Sequence, residues 1–195
     1  MKATFARDIV VMGGSAGSSQ ALVRILSALP ANFAAAIVAC VDAPVALNEA
    51  LSSREPAWLQ TRLPCRHAQE GTKLIVGTVF LLPSDVGGSI SSGGLVSLKK
   101  MTDAEGAPSR IDALFSSAAA AFGRRLIGVV LSGDNDDGTE GLKTIESHGG
   151  LGIVQSPVDA LQTRAPSHAV YANHPDRVAM LDEIPRLLMQ WTHSS

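Results

Sequence analysis

The sequence predicts an α/β fold: a mostly parallel, doubly wound sheet in three layers, with an added β-hairpin. Three observations carry this prediction. Short apolar runs alternate with segments of helical period along most of the chain. Those runs are continuously apolar, as strands covered on both faces are, and do not alternate apolar with polar. Gly or Pro punctuates most of the junctions between them.

Ile9 to Met12 is a β-branched run closed by Gly13 and Gly14. Ala21, Leu22, Ile25, Leu26 and Leu29 then recur at helical spacing as far as Pro30. Ala35 to Val41 reads as a second strand, and Val45 to Arg54 as a weaker helix stopped by Pro56. Pro64 to His67 forms a short strand, and Gly77 to Leu82 another that ends at Pro83. The texture then changes: Ser89 to Ser91 and Leu95 to Leu98 alternate around Gly93 and Gly94, the signature of a hairpin. A polar loop from Lys99 to Ser109 leads into a helix, Ile111 to Phe122, and the most apolar strand, Leu126 to Leu131. Thr139 to Ser147 and Leu151 to Gln155 add a helix and a strand. A short helix near Ser167 to Tyr171, a strand near Arg177 to Met180 and a helix from Leu181 to Trp191 close the chain.

With 195 residues, 46% hydrophobic and 17% charged, the chain can bury a core of its own, and a single domain over residues 1–195 is expected. A formal net charge of −2 lacks the cationic excess that binding to a phosphate backbone requires, which argues against nucleic acid. No apolar run approaches the roughly 20 residues needed to span a bilayer, and no signal-peptide pattern precedes Gly13, so a cytoplasmic protein that is not membrane-embedded is expected. Cys40 and Cys65 match no metal-ligand spacing and read as reduced core residues.

In open α/β sheets, chemistry gathers at the carboxyl ends of the strands. After the first strand, Gly13-Gly14-Ser15-Ala16-Gly17 fits G-x-S-x-G, a turn that exposes a serine hydroxyl at a helix N-terminus; a plain capping turn fits equally. No frame through these glycines gives the dinucleotide fingerprint or a phosphate-binding loop. After the most apolar strand, Ser132-Gly133-Asp134-Asn135-Asp136-Asp137-Gly138 is a dense acidic turn before a helix. It lacks the acids that an EF-hand loop requires, though a looser cation site stays open. No cofactor and no metal is expected.

Together these two turns resemble those of the chemotaxis receptor protein-glutamate methylesterases, the CheB-type catalytic domain. Val11 to Gly17 is similar to that family's I-G-A-S-T/A-G-G, and Gly128 to Gly138 to its G-V-I-L-T-G-M-G-N-D-G. Leu81 to Asp85 resembles I-A-P-G-D, and Ser109 to Phe115 resembles S-V-D-x-L-F. The resemblance implies hydrolysis of glutamate methyl esters by a Ser-His-Asp triad, with Ser15 as nucleophile and Asp137 as triad aspartate. It also implies that Ala16 and Asp134 lie on the oxyanion side, and that the partner is a chemoreceptor cytoplasmic region or another signalling protein. Family members commonly carry a receiver domain ahead of this one; with the first strand starting so near Met1, neither that domain nor its phosphorylation control is expected.

Two departures bear on activity. The family's histidine lies in Q-H-M-P after the second strand, which here reads Cys40-Val41-Asp42-Ala43-Pro44, with Val41 taken as the histidine position. Asp134 stands where the family has methionine, and a carboxylate there opposes developing negative charge unless it points away. With Asp42, Asp136 and Asp137 it makes an acidic mouth. His168 is the candidate substitute base; His67 reads as a surface or strand-end residue, and His148, His174 and His193 have no evident partner. The expectation is a methylesterase-like domain of weak or lost activity, with a non-catalytic binding module in a signalling assembly as the alternative.

Overall fold

The computed structural model describes residues 6–42, 59, 61–84, 86–101 and 109–192. The expected helix at 45–54, Asp85 of the Leu81 to Asp85 segment, and His193 lie outside them.

Seven strands form one sheet: β1 (Ile9–Gly13), β2 (Ala36–Cys40), β3 (Cys65–His67), β4 (Val79–Leu81), β7 (Leu126–Val130), β8 (Leu151–Gln155) and β9 (Arg177–Ala179). Their order is β3-β4-β2-β1-β7-β8-β9, and every pairing is parallel. The expected hairpin is present as β5 (Val86–Ile90) and β6 (Val96–Lys100), antiparallel with Ile90 opposite Val96.

Helices α1 (Ser18–Ala28), α2 (Arg110–Phe122), α3 (Thr139–Ser147), α4 (Arg164–Asn173) and α5 (Ile184–Thr192) cover the sheet. One core joins α1 and α5 to one face through Leu22, Ile25, Leu26, Ile184 and Leu188, packed on Val10, Met12, Ile37 and Val129. The other joins α2, α3 and α4 to the opposite face through Leu114, Phe115, Leu142 and Ala169, packed on Val11, Val38 and Val130. The central strands β1, β2 and β7 are buried along their whole length, which is why their sequences are continuously apolar. Among the described residues no helix is long and apolar enough to cross a membrane. Cys40 and Cys65 are both buried, and burial pushes the Cys40 thiol up to about 12.

The first hairpin strand starts at Val86, three residues before the expected Ser89, and two helices also start elsewhere than expected. Helix α4 starts at Arg164, three residues before the expected Ser167, because Pro166 sits in its first turn, where a missing N–H costs nothing. Helix α5 starts at Ile184 instead of Leu181: residues 181–183 form a turn in which Glu183 Oε2 accepts the Met180 N–H at 2.9 Å.

Candidate active site

From β1 the chain passes to β2 on one side, and it later returns to place β7 on the other. The crevice between the carboxyl ends of β1 and β7 is therefore a topological switch point. Ser15 follows β1 and the acidic turn follows β7, so two segments more than a hundred residues apart meet there. Ser15 N–H donates to Ser132 O at 3.1 Å, and Leu131 N–H to Gly13 O at 2.8 Å. Gly17, at φ 84°, takes the left-handed conformation that turns the chain into α1. Gly133 allows the two turns to touch: a Cβ there would stand 2.7 Å from Ser15 Oγ.

Ser15 is 6% exposed. Its Oγ donates to Asp134 Oδ1 at 2.8 Å and accepts the Asp134 N–H at 3.0 Å, so the hydroxyl is bonded in both of its roles to one residue. The Asp134 side chain thus points toward the serine. The Ser15 hydroxyl, above all, holds the Asp134 carboxyl below the usual range, helped by the Asp134 and Ala16 backbone N–H groups. A carboxylate of lowered proton affinity is a poor acceptor for a serine proton. Ala16 also lends its carbonyl, which accepts Ser132 Oγ at 2.8 Å.

Asp137 faces α2. Its carboxylate accepts the Ile111 N–H at 3.1 Å and the Asp112 N–H at 3.0 Å, and it lies against Ser109 Oγ. Asp112 answers from within α2, with Oδ1 accepting the Gly138 N–H at 3.1 Å and the Gly141 N–H at 2.7 Å at the start of α3. The two carboxylates cap each other's helices. Burial pushes the Asp137 carboxyl up, against the pull of its donors.

The structure separates Val41 from the site. Val41, 4% exposed, packs in the α1 side of the core, and it is the next residue that reaches the mouth. Asp42 N–H donates to Ser18 Oγ at 3.4 Å, and Asp42 Oδ1 lies 3.6 Å from Arg110 Nη1. Arg110 is itself anchored by the Val86 and Pro83 carbonyls at 3.1 and 3.0 Å. Cys40 feels the charges of Arg110, Asp137 and Asp42 together, so these three surround one spot. Asp136 is drawn outward by Arg164 at 2.8 Å.

His168 lies on exposed α4 surface with Nδ1 3.2 Å from Thr139 Oγ1, and no hydrogen bond joins it to Ser15. It shares an open cleft of about 550 Å³ with Asp112, Asp136, Asp137 and Glu140, to one side of the serine. His67 ends the edge strand β3, where burial lowers its proton affinity. His148 Nδ1 meets Thr144 O at 2.8 Å, and His174 ends α4 in the left-handed region. Among the described residues no group of three or more His, Cys, Asp or Glu side chains could hold a metal ion.

Several supporting residues escaped the sequence reading. The buried Gln155 side chain accepts the Ser132 N–H at 2.9 Å, and the Gln162 carbonyl accepts the Gly133 N–H at 3.1 Å, so the acidic turn is braced from β8 and the loop after it. A glutamine ending an apolar strand gives no periodic signal. Asp112 did carry one, since Ser109-Arg110-Ile111-Asp112 has the capping-box spacing, but nothing local says that it caps a different helix.

A sequence model of the CheB methylesterase family matches residues 10–188. A protein-glutamate methylesterase/protein-glutamine glutaminase of Anaeromyxobacter dehalogenans is 34% identical over 188 residues, covering 95% of this chain and 53% of that protein. A Leptospira interrogans relative is 30% identical over 197 residues, covering 94% of each. The chain thus spans about half the length of the first of these and most of the second. The crystal structure of the Thermotoga maritima CheB methylesterase catalytic domain superposes with a TM-score of 0.81 at 26% identity, covering 95% of this chain and 99% of that one.

Proposed function

The chain belongs to the CheB methylesterase family, and from that premise we propose a methylesterase-like domain whose hydrolysis of glutamate methyl esters is weak or lost. Its partner is the cytoplasmic region of a chemoreceptor or another signalling protein, and its place is the cytoplasm. The single sheet that gathers seven of the nine described strands supports reading residues 1–195 as one domain.

One observation carries the reading: the Ser15 hydroxyl is bonded to the Asp134 carboxylate and not to an imidazole. A serine hydroxyl is scarcely ionised at neutral pH and needs a neighbouring base to attack an ester. Removing the base from a serine triad costs on the order of a million-fold in turnover in the best-studied case. Aligning Q-H-M-P on Pro44 sets Asp42, not Val41, opposite the family's histidine, and Asp42 is the residue that reaches the mouth. A carboxylate paired with Arg110 supplies no neutral imidazole to take the serine proton. Asp137, as a helix cap, has a structural reason to be present without a histidine to orient.

This engagement of Ser15 also favours binding over turnover. The test is hydrolysis of methylated receptor by the purified chain beside Ser15→Ala. The expected rates are equal; a Ser15-dependent rate comparable to that of an active methylesterase overturns the proposal.

A further inference from the structure

We propose that a cavity at the amino ends of β1 and β2 is a second binding site, for a small organic monoanion with an apolar body, such as an arylalkyl carboxylate. The cavity lies at the opposite end of these strands from Ser15 and does not depend on the methylesterase-like reading.

The cavity encloses about 390 Å³, the size of a small-ligand site. Its walls are largely apolar. Ile9 and Ala36, the first residues of β1 and β2, belong with Phe122 to the core under α2, and Leu74 packs against that core. Val76 lines the cavity and is 53% exposed, and its neighbour Ile75 is 52% exposed. An apolar guest would therefore cover surface that this fold leaves against water.

The charges are placed to receive one anion. On one wall Arg125 donates from Nε and Nη2 to the two oxygens of Asp8, at 2.9 and 2.7 Å, and stands over the Phe122 ring at 5.6 Å, so this pair neutralises itself. On the other wall Lys73 Nζ donates to the Gly93 carbonyl, and among the described residues Lys73 forms no ion pair. An ammonium has three donors, so two are left for a carboxylate. With Asp8 offsetting Arg125, Lys73 leaves the lining one uncompensated positive charge. The Lys73 wall is also fixed in advance. Leu74 N–H donates to Gly94 O at 2.9 Å, Val96 N–H donates to Thr72 O at 2.8 Å, and Lys73 is bridged to Leu95, so a ligand has little to order on entry.

The experiment is an amide-resolved NMR titration of the full chain with sodium 4-phenylbutyrate, beside 4-phenylbutanol and sodium acetate. In wild type the amides of Ile9, Lys73 and Gly94 are expected to shift saturably with phenylbutyrate. The alcohol, which lacks the charge, and acetate, which lacks the apolar body, bind at least about tenfold more weakly, the scale of one charge-assisted hydrogen bond or of a few buried methylenes. Lys73→Met keeps the stem and removes the ammonium, so it weakens the acid at least about fivefold with little effect on the alcohol. Lys73→Arg keeps the charge and binds the acid more tightly than Lys73→Met does. Lys73 is exposed, so these variants are expected to fold; should Lys73→Met fail to, Lys73→Gln decides. No saturable shift at these amides, equal affinity for acid and alcohol, or equal acid affinity in wild type and Lys73→Met overturns the proposal. So do equal losses in Lys73→Met and Lys73→Arg, or a response confined to the Ser15 and Asp134 amides. Hydrolysis is not measured here, so this failure is distinct from failure of the weak-esterase reading.

Discussion

Val41 and Asp42 are adjacent, yet one is core and the other is site. At the end of a strand the side-chain direction alternates with period two, so a shift of one residue in matching a motif exchanges the buried face for the open one. Val41, the position that the motif match gives to the histidine, packs against the α1 side of the sheet, and its neighbour Asp42 reaches Arg110. Opposite results are therefore expected from two histidine substitutions. Val41→His forces an imidazole into an apolar site and lowers unfolding free energy by about 2 kcal/mol or more, whereas Asp42→His leaves stability within about 0.5 kcal/mol. Urea denaturation of both variants distinguishes them, and equal losses contradict the assignment.

Helices α2 and α3 show how elements hold the site. Asp137 caps α2 and Asp112 caps α3, so each helix start depends on a carboxylate from the other's neighbourhood. Asp112→Ala and Asp137→Ala are each expected to cost about 1–2 kcal/mol. Because they share one interface, the double variant should depart from the sum of the singles. At the C-terminal end of α3, burial and the nearby Asp176 carboxylate push the Glu146 carboxyl up to about 7 from an ordinary value of 4.5. A raised acid binds its proton more tightly in the folded state. Its contribution is therefore fully favourable below about pH 4.5, declines as pH rises, and is lost above about pH 7. Glu146→Gln should accordingly stabilise the protein at pH 8 relative to wild type and have little effect at pH 4.5. Denaturation curves at the two pH values check this, and an equal effect at both refutes it.

Across the whole molecule, the central strands and amphipathic helices were legible because their apolar periodicity reports burial directly. Strands β7 and β8 and helix α3 lie within a residue of the expected bounds. The site was legible only in part. Ser15 and the acidic turn stood out because glycine-flanked polar residues interrupt apolar strands. The inward aim of Asp134, the exchange of caps and the bracing by Gln155 are long-range contacts with no local signature. If residues 1–195 are one domain, far-UV circular dichroism and tryptophan fluorescence should report a single coincident urea transition; separated midpoints contradict it. In the proposed function Ser15 has no activating base, and the Asp134 carboxylate lies against it. Methanol release from methylated receptor by wild type, Ser15→Ala and Asp42→His/Asp134→Met tests it most directly. Wild type is expected to be indistinguishable from Ser15→Ala, and the double variant to show at least about tenfold faster Ser15-dependent release, a small part of what a positioned base contributes. Ser15-dependent release by wild type at or above the double variant's rate would contradict it.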